Sequence, residues 1–158
     1  MLIRKSEAKW TGDLVHGSGR LTVGSGAINV PYSFKSRIED GQSATNPEEL
    51  LGAAHAGCFT MALAAQLSGA GFTPNELDTI AKVSFEKAGD NFQITRIELE
   101  TAADVPGVDE TTFQALATDA KKNCPVSKAL AATEIKLKAT LRNAESSRTP
   151  TEVVVGKD

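Results

Sequence analysis

Cys58 and Cys124 are the two thiols of this 158-residue chain, and little else in it looks catalytic. Cys58 closes the run NPEELLGAAHAGC, and Cys124 opens CPVS, with Pro125 where the first turn of a helix favours proline. A thiol reacts as the thiolate, so a reactive cysteine needs a group that holds the charge. The backbone amides of a helix start supply one for Cys124. Cys58 lies within a helix among apolar neighbours, which raise a thiol's pKa, so its cation must come from elsewhere. Arg37, just upstream of that helix, is the preferred candidate, ahead of Arg20 and Lys35. Glu48 precedes Cys58 by ten residues, too far to touch the thiol but placed to orient an arginine that does. By default Glu48 is an ordinary first-turn acid and Arg37 a solvated loop residue. The cysteines read either as a dithiol cycling through a disulfide or as two small buried hydrophobes. A third reading gathers His55, Cys58 and Cys124 around zinc, without an evident fourth ligand. His16, in a glycine-rich turn, is expected to face solvent.

The elements that would position these groups alternate between strands and helices. Lys9 to Thr11, Arg20 to Val23 and Ala27 to Phe34 read as an antiparallel meander punctuated by glycines. A polar loop follows from Lys35 to Thr45. Asn46, Pro47 and Glu48 form a helix start, by cap, first-turn proline and acid at the positive end of the dipole. That helix runs to about Ser68-Gly69, with Leu50, Ala54, Cys58, Met61 and Ala65 along one face. Its small residues let neighbouring backbones approach, which places it at the centre of the fold. Leu77 to Glu86 and Phe92 to Thr101 are two strands joined by a turn at Ala88-Gly89-Asp90. Asp109 caps a helix reaching about Lys122, Cys124-Pro125 starts a shorter one, and EIKLKATLR, from Glu134 to Arg142, is a final strand. The fold class is α+β.

Composition narrows the setting. A hydrophobic fraction of 41% with 23% charged residues describes an ordinary globular chain, long enough to bury about 70% of its unfolded surface. The net charge of −3 and the absence of a basic cluster argue against nucleic acid. The N-terminus lacks an apolar signal core, and no apolar run is read as long enough to span a bilayer. The expected location is cytoplasmic, where thiols stay reduced and a permanent disulfide is rare.

The strings TNPEELLGAAHAGCF and NCPVS, in that order and separation, resemble the OsmC family, the osmotically inducible protein C and organic hydroperoxide resistance group. The resemblance covers about Ile3 to Arg142. His55 in GAAHAGC, with Phe34-Lys35-Ser36-Arg37 upstream, is more similar to the OsmC branch, and Gly57 stands where alanine is more usual. It implies a single OsmC-like domain over 1–142, its antiparallel sheets wrapped around a long central helix in an intertwined homodimer. The tail, 143–158, is left outside the core. It also implies a thiol peroxidase of the oxidative stress response that reduces organic hydroperoxides, and hydrogen peroxide less well. Cys58 would become a sulfenic acid and Cys124 would resolve it to an intramolecular disulfide. Arg37 would stabilise the Cys58 thiolate and Glu48 would hold Arg37, with Arg20 the fallback arginine. Active sites would lie at the subunit interface. A dithiol such as a dihydrolipoyl protein would regenerate the enzyme, with no metal or haem. The competing function is a non-catalytic redox sensor or stress-induced binding protein, which would consume one peroxide equivalent instead of many.

Overall fold

Short alternating segments separated by glycine turns build the first sheet. In the computed structural model, which describes residues 1–39 and 41–142, β1 (Ser6–Thr11), β2 (Ser18–Val23) and β3 (Asn29–Tyr32) pair antiparallel in that order. The third strand stops at Tyr32, short of the expected Phe34, and the loop expected from Lys35 opens with a helical turn, α1 (Phe34–Ile38). The cause is a capping box. The Ser33 hydroxyl accepts from the Ser36 amide, and the Ser36 hydroxyl accepts from the Ser33 amide, both at 3.0 Å. Ser36 also donates to the Thr45 carbonyl at 2.7 Å, and Asn46 Nδ2 donates to the Ser36 carbonyl at 3.0 Å. These bonds tie α1 to the start of the next helix.

That helix, α2 (Pro47–Gly69), starts where the sequence predicts, with the Asn46 side chain accepting from the Glu49 amide at 2.8 Å. Its buried face differs from the expected one. Glu48, Gly52, His55, Phe59, Leu63 and Leu67 point inward, while Ala54, Met61 and Ala65 of the predicted stripe are exposed. Alanine and glycine surround this helix on every side, so apolar periodicity does not mark the inner face; the large residues, with one acid and one histidine, do. The same small residues keep its hydropathy high. By length and composition α2 could cross a membrane, contrary to the expectation that no run was long enough. Here its inner face packs on protein instead.

The second sheet contains β4 (Glu76–Ala88), β5 (Asn91–Asp104) and β6 (Glu134–Leu141) in that order. β4 and β5 form an antiparallel hairpin around Gly89, whose φ of +62° suits glycine at the turn. β6 runs parallel to β5, whereas the other strand pairs among the described residues are antiparallel. A parallel pair needs a crossover. Here α3 (Glu110–Asn123) and α4 (Pro125–Ala129) supply it. The core lies between α2, α3 and this sheet, with Phe59, Leu63, Leu99 and Phe113 fully buried. At Gly52 α2 lies against β4, where a Cβ would be in ordinary contact, 3.4 Å from Val83 Cγ2 and 3.5 Å from the Ala81 carbonyl. The tail expected outside the core, 143–158, falls outside the described residues.

Candidate active site

The C-terminal crossover brings the thiols together. α3 ends at Asn123, Cys124 caps α4, and α4 packs beside the middle of α2. Residues 66 apart in sequence thereby place Cys58 Sγ and Cys124 Sγ 3.2 Å from each other, both as free thiols. Cys124 is fully buried and Cys58 half-buried, so Cys58 is the thiol open to solvent.

Their environments push the two thiols apart. Burial raises the pKa of Cys58; the Val126 amide pulls it down, while the neighbouring Cys124 adds to the rise. Burial raises Cys124 too, but the amide and hydroxyl of Ser127, the Cys58 thiol and the Val126 amide together outweigh it. The Cys124 pKa is therefore lowered from its ordinary value. The Ser127 amide donates to Cys124 Sγ at 3.5 Å, a contact made where the sequence places a helix start. Within this chain, negative charge favours Cys124.

Arg37 and Glu48 also meet, at the opposite end of α2's first half. Arg37 Nε donates to Glu48 Oε1 and Oε2 at 3.0 and 3.2 Å, and Nη2 donates to Oε1 at 2.7 Å. The guanidinium carbon lies 4.4 Å from the Phe85 ring centroid, so Arg37 is held by a carboxylate and by an aromatic face. Phe85 in turn stacks on Phe92 at 5.1 Å. The pair lines an open groove of about 600 Å³ between α2 and β4, with Gly52, Ile80 and Val83 also on its walls. Glu48 and Cys58 are separated by about 15 Å of helix rise, so the ion pair and the thiols of one chain form two separate stations. Arg20 is elsewhere, donating to Asn29 Oδ1 at 2.8 Å, and Lys35 faces Glu39 at 3.6 Å.

His55 sits inside α2, fully buried, and its Nε2 lies 2.8 Å from the Ser127 hydroxyl. No group of three or more His, Cys, Asp or Glu side chains suited to a metal occurs among the described residues. His16 is exposed and pairs with Asp13 at 3.1 Å. The sequence reasoning missed Ser127 and Phe85. Ser127 carries a usable signal, lying three residues beyond the capping Cys124, where a helix's first free amides are found. Phe85 carries none beyond being an aromatic residue in a strand.

The family model described as OsmC-like protein matches residues 39–140. Peroxiredoxin OsmC of Escherichia coli (strain K12) is 48% identical over 130 residues, which is 82% of this chain and 90% of that protein. The crystal structure of an organic hydroperoxide resistance protein from Elizabethkingia anophelis superimposes with a TM-score of 0.66 at 26% identity, covering 90% of this chain and 98% of that one. An OsmC-like protein of unknown function from Vibrio cholerae reaches a TM-score of 0.72 at 13% identity, over 88% of this chain and 99% of its own, a likeness of fold alone. The chain belongs to the OsmC-like protein family.

Proposed function

We propose that this protein reduces organic hydroperoxides, and hydrogen peroxide less well, through a Cys58 sulfenic acid and a Cys58–Cys124 disulfide. The broader statement, a peroxiredoxin-like thiol peroxidase, rests on the 48% identity to Peroxiredoxin OsmC. The observation that carries the finer one is the 3.2 Å approach of a half-buried thiol to a buried thiol of lower pKa. The Cys58 thiolate attacks the terminal peroxide oxygen, the O–O bond breaks, and the alkoxide leaves as an alcohol on taking a proton. The Cys124 thiolate then attacks the sulfenic sulfur; the S–O bond breaks, and hydroxide leaves as water with another proton. A dithiol such as a dihydrolipoyl protein reduces the resulting disulfide by exchange. A reducing compartment such as the cytoplasm suits that cycle.

Cys58 needs a cation, and none of the described residues of its own chain supplies one to it. Arg37 of a second copy supplies it in this reading, held by Glu48 and delivered across a homodimer interface. Residues 1–142 serve as the unit that pairs. Two exposed surfaces support the assembly. α2 presents Ala53, Ala54, Gly57 and Met61 outward, Met61 at 75% exposure, and every residue of β1 is exposed, Trp10 among them. An apolar face of this kind marks an interaction site.

The test treats reduced protein with excess cumene hydroperoxide and dihydrolipoamide. Many equivalents consumed per chain, with peptide mapping that links Cys58 to Cys124 in the oxidised form, is the expected result. Consumption of a single equivalent makes the protein a sensor. Intact peroxide and two free thiols sink the reading altogether.

A further inference from the structure

Among the described residues, the dithiol cycle leaves the buried titratable side chain of His55 unused. His55 is fully buried one turn before Cys58, and its Nε2 contacts Ser127 Oγ at 2.8 Å, while its Nδ1 has no hydrogen-bond partner among the described residues. Burial lowers its pKa, which favours the neutral ring. A neutral imidazole carries one N–H. Placing that proton on Nδ1 would leave a buried donor unpaired, whereas a bare lone pair there is the lesser penalty. Nε2–H therefore donates to Ser127 Oγ, which frees the Ser127 hydroxyl proton to point elsewhere. The Ser127 amide already donates to Cys124 Sγ at 3.5 Å.

We infer that His55 is a positioning residue for the resolving step: by holding Ser127 Oγ at 2.8 Å it fixes the residue whose amide donates to Cys124 Sγ at 3.5 Å, and so supports the Cys124 thiolate in line with Cys58. This rests on the dithiol cycle proposed above. The direction of the Cys124 shift agrees, since the Ser127 amide and hydroxyl both favour the thiolate against burial. Other charged groups nearby are engaged or turned away. From α2, Cys58 is the remaining titratable neighbour, at 3.2 Å. On α3, Lys121 donates to the Ile135 carbonyl at 2.9 Å and Lys122 faces Asp119 at 3.7 Å; Lys128 of α4 is exposed. Ser127, held from α2 by His55, is thus one local source of stabilisation for the Cys124 anion, beside the Cys58 thiol and the Val126 amide.

Charge and rate are linked quantitatively. If losing the donor raises the Cys124 pKa by about one unit, the thiolate fraction at pH 6 falls about tenfold. A more basic thiolate is also the better nucleophile, with a Brønsted slope of about 0.4–0.5, which returns about threefold. The disulfide step should therefore slow by about threefold from charge alone, and the deficit should narrow as pH rises. His55→Phe removes the donor and keeps the ring; His55→Gln keeps an N–H near the Nε2 position.

Single-turnover oxidation by cumene hydroperoxide, quenched and read by mass, separates the steps. In His55→Phe, Cys58 oxidation should stay within about twofold of wild type while the disulfide forms at least threefold more slowly at pH 6, with His55→Gln restoring it. In parallel, absorbance at 240 nm in a Cys58→Ser background titrates Cys124 alone. Its midpoint should rise in Cys58→Ser/His55→Phe and in Cys58→Ser/Ser127→Ala. A wild-type disulfide rate in His55→Phe overturns the inference. So does an equal, pH-independent slowing in His55→Phe and His55→Gln with the midpoint unmoved, since that is packing. If wild type ignores peroxide, the proposed function fails, yet the 240 nm midpoints still decide whether His55 acts on Cys124.

Discussion

Replacing Glu48 by glutamine tests whether the ion pair serves catalysis or only the start of α2. Glu48 accepts three contacts from Arg37, at 2.7, 3.0 and 3.2 Å, with 10% of its side chain exposed against 38% for Arg37. Hydrogen bonds to charged groups contribute about 1.5–3 kcal/mol when shielded. Arg37 is partly wet, so the lower end applies. Glutamine retains one carbonyl acceptor but no charge, so the loss of orientation should be about 1–2 kcal/mol. Expressed in the transition state for peroxide attack, that is roughly a tenfold slower Cys58 oxidation, since 1.36 kcal/mol is one decade. Stopped-flow oxidation of reduced protein by cumene hydroperoxide measures this directly. Arg37→Ala should slow the step further, and adding Glu48→Gln to it should change little, because Glu48 acts through Arg37. An unaltered rate in Glu48→Gln, or a full tenfold loss on top of Arg37→Ala, refutes the reasoning.

Cys124→Ser should react with one hydroperoxide equivalent and stop as a Cys58 sulfenic or overoxidised species, detectable by mass; sustained turnover with dihydrolipoamide would remove Cys124 from the cycle. Within one chain Gly57→Ala meets nothing within 4 Å and relieves a mid-helix glycine, worth about 0.5–1 kcal/mol, so urea unfolding at low concentration, where chains are separate, should show a gain. On the proposed dimer the same Cβ lies in the interface, so sedimentation should show weaker association; unchanged association would place the interface elsewhere. Reduced Cys58→Ser should gain stability over the Cys58→Ser/Cys124→Ser double variant as pH rises. Its folded-state pKa is depressed, so the gain is full above the unfolded thiol value of about 8.5 and is lost as pH falls through the folded value. A difference flat in pH from urea titrations would contradict the donor arrangement at Cys124.

Where local chemistry decides structure, the sequence is legible. Asn46-Pro47 marks the start of α2 and Asp109 that of α3, because caps act within three residues. α1 is not legible, since its five residues show no period and its Ser33–Ser36 box closes on itself. The inner face of α2 is misread because Glu48 and His55, polar by type, are buried by partners distant in sequence: His55 by Ser127, 72 residues on, and Glu48 by Arg37 across the α1–α2 connection. The two cysteine strings announce the dithiol, whereas the meeting of the sulfurs depends on the α3–α4 crossover packing against α2. Such contacts are set by tertiary packing, which no local pattern encodes.

Two thiolates cannot both form 3.2 Å apart without strong repulsion, so the cycle depends on where one charge sits at each stage. In the single chain the donors of α4 favour Cys124, the fully buried thiol, and Cys58 is left protonated by burial. On the proposed cycle, Arg37 of a second copy shifts the charge to Cys58 for the first attack. Oxidation to the sulfenic acid then removes that charge, and Cys124, with its own donors, ionises and attacks. On this proposal, assembly is a condition of the first step and not of the second. Met61→Lys tests this, because a lysine left unpaired in an apolar interface costs about 3 kcal/mol or more, over a hundredfold in dimer dissociation. The variant should sediment as a monomer with its helical signal intact and its Cys58 oxidation reduced by at least tenfold. Sulfenic acid installed beforehand on Cys58 should still close to the disulfide at the wild-type rate. A monomer that reacts with peroxide as fast as wild type would show that Cys58 is activated within one chain, and Arg37 would lose its role.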